Sequence, residues 1–309
     1  MASSSQTSEP GIVSLGAEPG TIYRSESLTR RALRRLRRDR LTMIAIFTIL
    51  LLAFLAIMAP VISTQILRVD FARANPVNAF LPINSPGHIL GTDDLGRDHL
   101  ARLLYGGQVS LGIALTAALL SIGIGVAMGV VTGFYGGVVD DLIIWLITTI
   151  NSIPSLFLLL IISAVLSPGP LGLILVLGLL GWTGTTRLVR GETLSLRERE
   201  FVVSARALGA SDRRIMFVHI LPNLISIITI ALAIDIGVLI LIESGLSFLG
   251  FGIQPPIPSW GNMLTGAQTF MRRAPHLVFA PGLLILITVL CMYIIGDGIR
   301  DAFDPRMES

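Results

Sequence analysis

The sequence predicts an all-α polytopic membrane protein with six transmembrane helices and both termini in the cytoplasm. Of its 309 residues, 52% are hydrophobic and only 14% are charged, far from the balance of a soluble domain. Apolar runs recur that are long enough to cross ~30 Å of hydrocarbon at ~1.5 Å per residue, which requires helices satisfying their own backbone hydrogen bonds. A β-barrel would show short alternating segments instead. The arginines are also shared unequally between alternate connections.

Six spans read at 41–62, 107–133, 138–166, 171–188, 223–246 and 278–297. With the amino terminus inside, the inner segments hold seventeen arginines (Arg24 to Arg40, Arg187 to Arg214, Arg300 and Arg306). The outer ones hold six: Arg68, Arg73, Arg97, Arg102, Arg272 and Arg273. That asymmetry sets the orientation. The chain then divides into a basic tail (1–40), a first span, an external segment (63–106), a five-helix core (107–298) enclosing the internal loop 187–222, and a short tail (299–309). The tail has no apolar core of its own, so the first span is expected to act as an uncleaved insertion signal.

Taken in order, "SLTRRALRRLRRDR" spaces Leu28, Ala32, Leu36 and Arg40 about one helical turn apart. This suits a positive anchor for the first span, lying along an anionic leaflet, rather than a nucleic-acid contact. In the external segment, Thr92 is expected to cap a short helix over 93–105 with Asp93 and Asp94 in its first turn. The second span places Ser121, Gly125, Gly129 and Gly133 on one face, where another helix can approach closely. Pro154 predicts a kink in the third span, and Pro281 with Gly282 a kink at the start of the sixth. "QPPIPSW" combines Pro255, Pro256 and Pro258 with Trp260, a stiff turn anchored at the outer interface.

Ionisable groups are costly within a span and usually face other helices or a watered cavity. Asp235 and Glu243 lie eight residues apart in the fifth span, about 80° round the helix and ~12 Å along it, so both can border one side of a translocation pathway. Asp235 is read as lining that pathway.

The internal loop is the most informative stretch: "REREFVVSARALGASDRRIMFVHILPN", 197–223. Phe201, Ala205 and Leu208 share a helix face, Gly209 breaks the run, and Ser211 can cap a second helix whose first turn carries Asp212. Arg206, Arg213 and Arg214 make one side polar. The apolar side left over asks for a protein partner.

Several chemistries are excluded. All 23 basic residues are arginine, so neither a Walker A lysine nor a Schiff-base lysine exists here. The lone Cys291 cannot form an intrachain disulfide. His88, His99, His219 and His276 are scattered without metal-ligand spacing, so no metal site is expected. No serine, histidine and carboxylate arrangement suggests an enzyme.

Measured from Gly209, the loop resembles that of inner-membrane permease subunits of ATP-binding-cassette importers, whose pattern is Glu-Ala-Ala, three residues, Gly, nine residues, Ile, one residue, Leu-Pro. Ala205, Leu221 and Pro222 match; Val203, Ser204 and His219 depart, and Glu200 stands one turn before the usual glutamate. Residues 91–111, 243–264 and 296–305 are similar to segments of the second permease of the dipeptide and oligopeptide branch, which also includes nickel importers. The resemblance implies a type I importer fold in a bacterial inner membrane. It implies a coupling loop in which Glu200, Ala205, Arg206, Ala207, Gly209, Ala210 and Asp212 meet an ATPase subunit. The outer loops, with Asp93, Asp94, Asp98, Pro255, Pro256 and Trp260, would then receive an extracytoplasmic binding protein. Partners would be a homologous second permease and two ATPase domains that carry the ATP and Mg, with no cofactor on this chain. Peptides are the implied cargo, with nickel or another small solute as the alternative; His88 and His99 near Asp93, Asp94 and Asp98 are read as shaping their loop rather than relaying metal. An ion-coupled secondary transporter would need inverted repeats, and the spans show no such symmetry.

Overall fold

The computed structural model describes residues 28–166 and 169–303. Arg24 of the basic tail and Arg306 of the closing segment lie outside them. Among the described residues the regular structure is helical. Among the described residues, five helices are long and apolar enough to cross a membrane, and there are six candidate spans if one bent helix pair is counted as a single span.

The basic helix α1 (Leu28–Arg38) is followed by α2 (Arg40–Ile57), the first span. Asp39 separates them as the N-cap, accepting from Leu41 N at 3.1 Å, from Thr42 N at 3.3 Å and from the Thr42 hydroxyl. Ala32 is buried, because α1 folds back onto the last helix instead of standing free. A short α3 (Ala59–Val61) and one wide turn, Ile62–Leu67, lead to Arg68, whose left-handed backbone (φ 56°) ends the element.

The centre of the bundle is α4 (His99–Tyr135) against α7 (Pro170–Arg197). A Cβ on Gly125 would meet Thr185 at 2.7 Å, one on Gly129 would meet Val189 at 2.7 Å, and one on Gly133 would meet Thr193 at 2.6 Å. The four-residue stripe read in the sequence is therefore the surface on which α7 lies. Both numbers rise together along the contact, so the two helices run parallel. The chain leaving α4 must accordingly return to the other end of the bundle before α7 begins. It does so through α5 (Gly137–Asn151) and α6 (Ser155–Leu166), bent by 78° at their junction. Pro154 sits at that break: it lacks an N–H, and it bars residue 153 from helical geometry.

Then follow α8 (Glu200–Ala207), the single-turn α9 (Asp212–Arg214), a wide turn over Ile215–Ile220, and α10 (Leu221–Phe248). The last three are contiguous, so the second helix of the internal loop is the beginning of the fifth span itself. The wider turn just before Pro222 absorbs the hydrogen bond that proline cannot donate. The final helix α11 (His276–Phe303) packs on α10 and on α2.

Two sequence expectations are corrected. No separate helix covers 93–105: Asp98, not Thr92, is the N-cap, accepting from Ala101 N at 2.8 Å, and the helix it starts runs on to Tyr135. Thr92 instead ties a loop, accepting from Leu81 N at 2.9 Å and donating to Asn78 O. The sixth span starts at His276 and holds Pro281 inside it, where the missing N–H costs one intrahelical hydrogen bond without ending the helix. Trp260 is not an interfacial anchor. It is 2% exposed, its ring lying over Gly106 and Gly107, where a Cβ on Gly107 would meet it at 2.8 Å, and its Nε1 donates to Leu103 O at 3.0 Å.

Candidate coupling loop and buried carboxylates

The loop around Gly209 is built by local rules. Helix α8 ends at Leu208, after which Gly209 takes φ 82°, a left-handed conformation that suits glycine. Gly209 N donates to Arg206 O at 3.0 Å and Ala210 N to Ala205 O at 3.0 Å, the paired bonds of a Schellman turn. Ser211 then caps the next helix, accepting from Arg214 N at 3.4 Å, with Asp212 in its first turn at the positive end of the dipole.

What roots this turn is one apolar cluster. Val202 from α8 joins Ile215, Met216 and Ile220 of the following turn against Val130 and Phe134 of α4 and Val189 of α7. Val202, Ile215, Ile220 and Val189 are completely enclosed. Truncating Ile215 or Ile220 to alanine should cost ~2 to 5 kcal/mol through lost burial and the cavity left behind. The loop is thereby a rigid extension of the helices beneath it. Its outer edge is different: Glu200, Arg206, Ala207, Gly209 and Asp212 are exposed, and Ala205 and Ala210 half-buried. Phe201, Val203, Phe217 and Val218 are exposed as well, and Leu208 is 89% exposed at the tip. Arg206 lies 5.7 Å from the centre of the Phe134 ring.

The two carboxylates of α10 have different surroundings. Asp235 is half-buried and accepts one bond, from Thr185 Oγ1 of α7 at 3.3 Å. Glu243 is 0% exposed and sits in a cage of serines, accepting from Ser110 at 2.9 Å, Ser247 at 2.8 Å and Ser244 at 3.4 Å. The same hydroxyls serve the following loop, Ser110 Oγ accepting from Trp260 N at 3.1 Å and Ser247 Oγ from Ile253 N at 3.0 Å. Glu243 therefore faces this chain's own interior. The expectation that it borders an open route beside Asp235 is revised on that geometry.

At the opposite end of the bundle, Asp93 accepts from Leu95 N at 3.0 Å, Arg97 N at 2.9 Å and Arg97 Nε at 2.7 Å, and Arg102 Nε stands 3.4 Å away. Asp98 receives His88 Nδ1 at 2.8 Å. Asp94, Pro255 and Pro256 are exposed. Asp93, Asp94 and Pro255 line one cavity of about 260 Å³ with His99 and Arg102, so the aspartate loop and the proline loop converge on one face. Asp98 instead borders a larger cleft of about 830 Å³, walled by Arg68, Arg73, His88 and Tyr105.

The sequence reading missed Thr185, Ser110, Asp140, Arg190 and Arg197. The arginines entered it only as orientation charges. Their spacing of seven, about two helical turns, was the available sign that both address one neighbour.

Comparison with known proteins agrees with this architecture. Residues 125–309 match the model of the binding-protein-dependent transport system inner membrane component, and residues 27–81 match the N-terminal TM domain of oligopeptide transport permease C. The chain is 34% identical over 301 residues to the oligopeptide transport system permease protein OppC of Bacillus subtilis, covering 97% of each. It is 36% identical over 291 residues to the dipeptide transport system permease protein DppC of Alkalihalophilus pseudofirmus, covering 94% of each. To OppC of Mycobacterium tuberculosis it is 37% identical over 290 residues, 92% of this chain and 98% of that one. A helical bundle of membrane-crossing length, matched along nearly its whole extent by peptide transport permeases, places this chain in the family of binding-protein-dependent transport system inner membrane components, as a multi-pass membrane permease.

Proposed function

We propose that this chain is one of two permeases forming the translocation pathway of an ATP-driven peptide importer, with Gly209 at the tip of its contact with a separate ATPase. In this reading both termini and the Gly209 loop face the cytoplasm, an orientation that the arginine distribution supports. The observation that carries the reading is the Schellman turn: a rigid tip rooted in the α4–α7–α10 cluster, with an apolar edge that none of the described residues covers. Leu208 at 89% exposure, flanked by Phe201 and Val203, suits insertion into a groove on a soluble partner. ATP and Mg belong to that partner.

In this reading, closure of two ATPase domains brings two such tips together. Because the wide turn and α10 continue directly from α9, α10 rocks with the tip and moves Asp235 relative to the second permease. Among the described residues Asp235 has one hydrogen-bond partner, Thr185, which holds it at the α7 contact. It is the carboxylate we assign to the pathway, where it would meet a peptide's amino group; Glu243 is assigned to holding α4, α10 and the Trp260 loop together. The loops around Asp93 and Pro255 receive a substrate-binding protein. Peptide cargo is supported by the relatives named for peptide transport.

The deciding experiment is affinity purification of the tagged chain from its own host, with identification of what accompanies it. Two ATPase polypeptides or domains and a second permease are expected, and labelled trialanine should enter vesicles containing the complex when ATP is present. Recovery of this chain alone, active with an ion gradient instead of ATP, would overturn the proposal.

A further inference from the structure

Two arginines of α7 grip the corner between α4 and α5. Arg190 forks onto Asp140 in the first turn of α5, Nε and Nη2 each donating at 2.5 Å to separate carboxylate oxygens. Arg197, seven residues on and about two turns further along the same face, donates through Nη1 to Gly133 O at 3.1 Å and Phe134 O at 3.4 Å. Those carbonyls belong to the last turn of α4, where intrahelical donors run out and the dipole is negative, so a guanidinium is the fitting partner. The corner itself is Gly136 with φ 65° and Gly137 with φ 54°. Nothing lies within 4 Å of a Cβ built on Gly137, and only Arg197 Nη1, at 3.4 Å, would meet one on Gly136. Packing at the corner residues is thus thin, and the arginines supply the restraint.

We infer that Arg190 and Arg197 are positioning residues that make the α4–α5 corner move as one body with the coupling helix α8. Helix α8 begins at Glu200, three residues beyond Arg197, and its own Arg206 lies over Phe134 at the same corner. A displacement applied to α8 therefore reaches α5 through hydrogen bonds, not only through the backbone. Released from them, two adjacent glycines of positive φ would act as a hinge and dissipate it. The mechanical role rests on the proposed docking of an ATPase at the Gly209 tip; the grip itself stands on this chain alone.

The test uses the full chain in nanodiscs, with Cys291→Ala and nitroxide labels on the exposed sites Val138→Cys and Val203→Cys, read by pulsed electron resonance. A single narrow distance distribution is expected. Arg197→Gln should widen it at least twofold, and Asp140→Asn, which weakens the fork without removing its side chain, should widen it too. In the assembled complex, Arg197→Gln should cut trialanine uptake per ATP hydrolysed at least fivefold while hydrolysis stays within twofold. Unchanged distributions in both variants, or uptake and hydrolysis falling together, overturn the inference. If no ATPase accompanies the wild-type chain, the docking proposal fails, and the distance measurement still decides whether the arginines hold the corner.

Discussion

The Ser110 hydroxyl of α4 donates to the Glu243 carboxylate of α10 at 2.9 Å, and its oxygen accepts from Trp260 N at 3.1 Å. One small side chain thus joins a span, a second span and the loop after it. Removing it should leave a buried carboxylate and a buried amide each short of a partner, at a cost of ~1 to 3 kcal/mol. Ser110→Ala is accordingly expected to lower the midpoint of thermal unfolding of the purified chain, followed by Trp fluorescence. An unshifted midpoint would remove the cage from the account of stability.

The parallel α4–α7 contact tolerates no added bulk at Gly129, where a Cβ would lie 2.7 Å from Val189. Gly129→Leu should cost ~1 to 3 kcal/mol by overpacking, and more if the helices separate. Gly129→Ala paired with Val189→Ala should cost less than the two single losses added together, because the smaller side chain makes room for the new methyl. Expression level and midpoint together measure it.

Gly209 presents the reverse case, since nothing lies within 4 Å of a Cβ placed there. The strain of a left-handed backbone, φ 82°, is about 1 to 2 kcal/mol for a residue other than glycine, too little to unfold the chain. Gly209→Leu should therefore reach the membrane intact yet separate ATP hydrolysis from uptake by enlarging the tip. Gly209→Asn, which accepts the left-handed region more readily, should keep more of the coupling. Normal uptake by the leucine variant would sink the assignment.

For Asp235, the substitution to choose is Asn, whose carbonyl still accepts from Thr185 Oγ1 in place of the carboxylate oxygen at 3.3 Å. Asp235→Asn should assemble normally and lose at least tenfold in uptake of labelled trialanine. If uptake and assembly are both untouched, Asp235 has no place in the pathway.

Asp39 supplies a pH dependence outside the spans. Its hydrogen bond with the Thr42 hydroxyl, backed by the amides of Leu41 and Thr42, holds its carboxyl below the usual carboxylate range. A depressed folded value means the cap's stabilisation is complete above the ordinary carboxylate pKa, about 3.9, and is lost as pH falls through the lowered one. Hydrogen exchange at the first turn of α2, corrected for intrinsic rates, should rise below about pH 4 and stay flat above it. Asp39→Asn should abolish that step.

Much of the molecule was legible in the chain because its signals are local. Apolar run length, the Ser121-to-Gly133 stripe, the Pro154 break and the Gly209 turn each depend on residues within a few turns of one another. Thr92 and Asp98 show where that legibility stops: both are acceptable caps, and the choice fell on Asp98 because Thr92 is engaged by Leu81 and Asn78. Trp260 shows it more sharply. An indole beside three prolines reads as interfacial, but the notch at Gly106 and Gly107 that takes it is some 150 residues away in sequence.

Taken by itself, the amino-acid sequence determined that this protein is a helical, multi-pass membrane bundle with an apolar-edged turn at Gly209, because hydrophobic length and backbone preference act within one segment at a time. Tertiary structure decided which carboxylate is enclosed and which is not, and where Arg190 and Arg197 attach. Those outcomes follow from the parallel register of α4 on α7 and from serines and carbonyls brought together by packing, and no single segment encodes its neighbour.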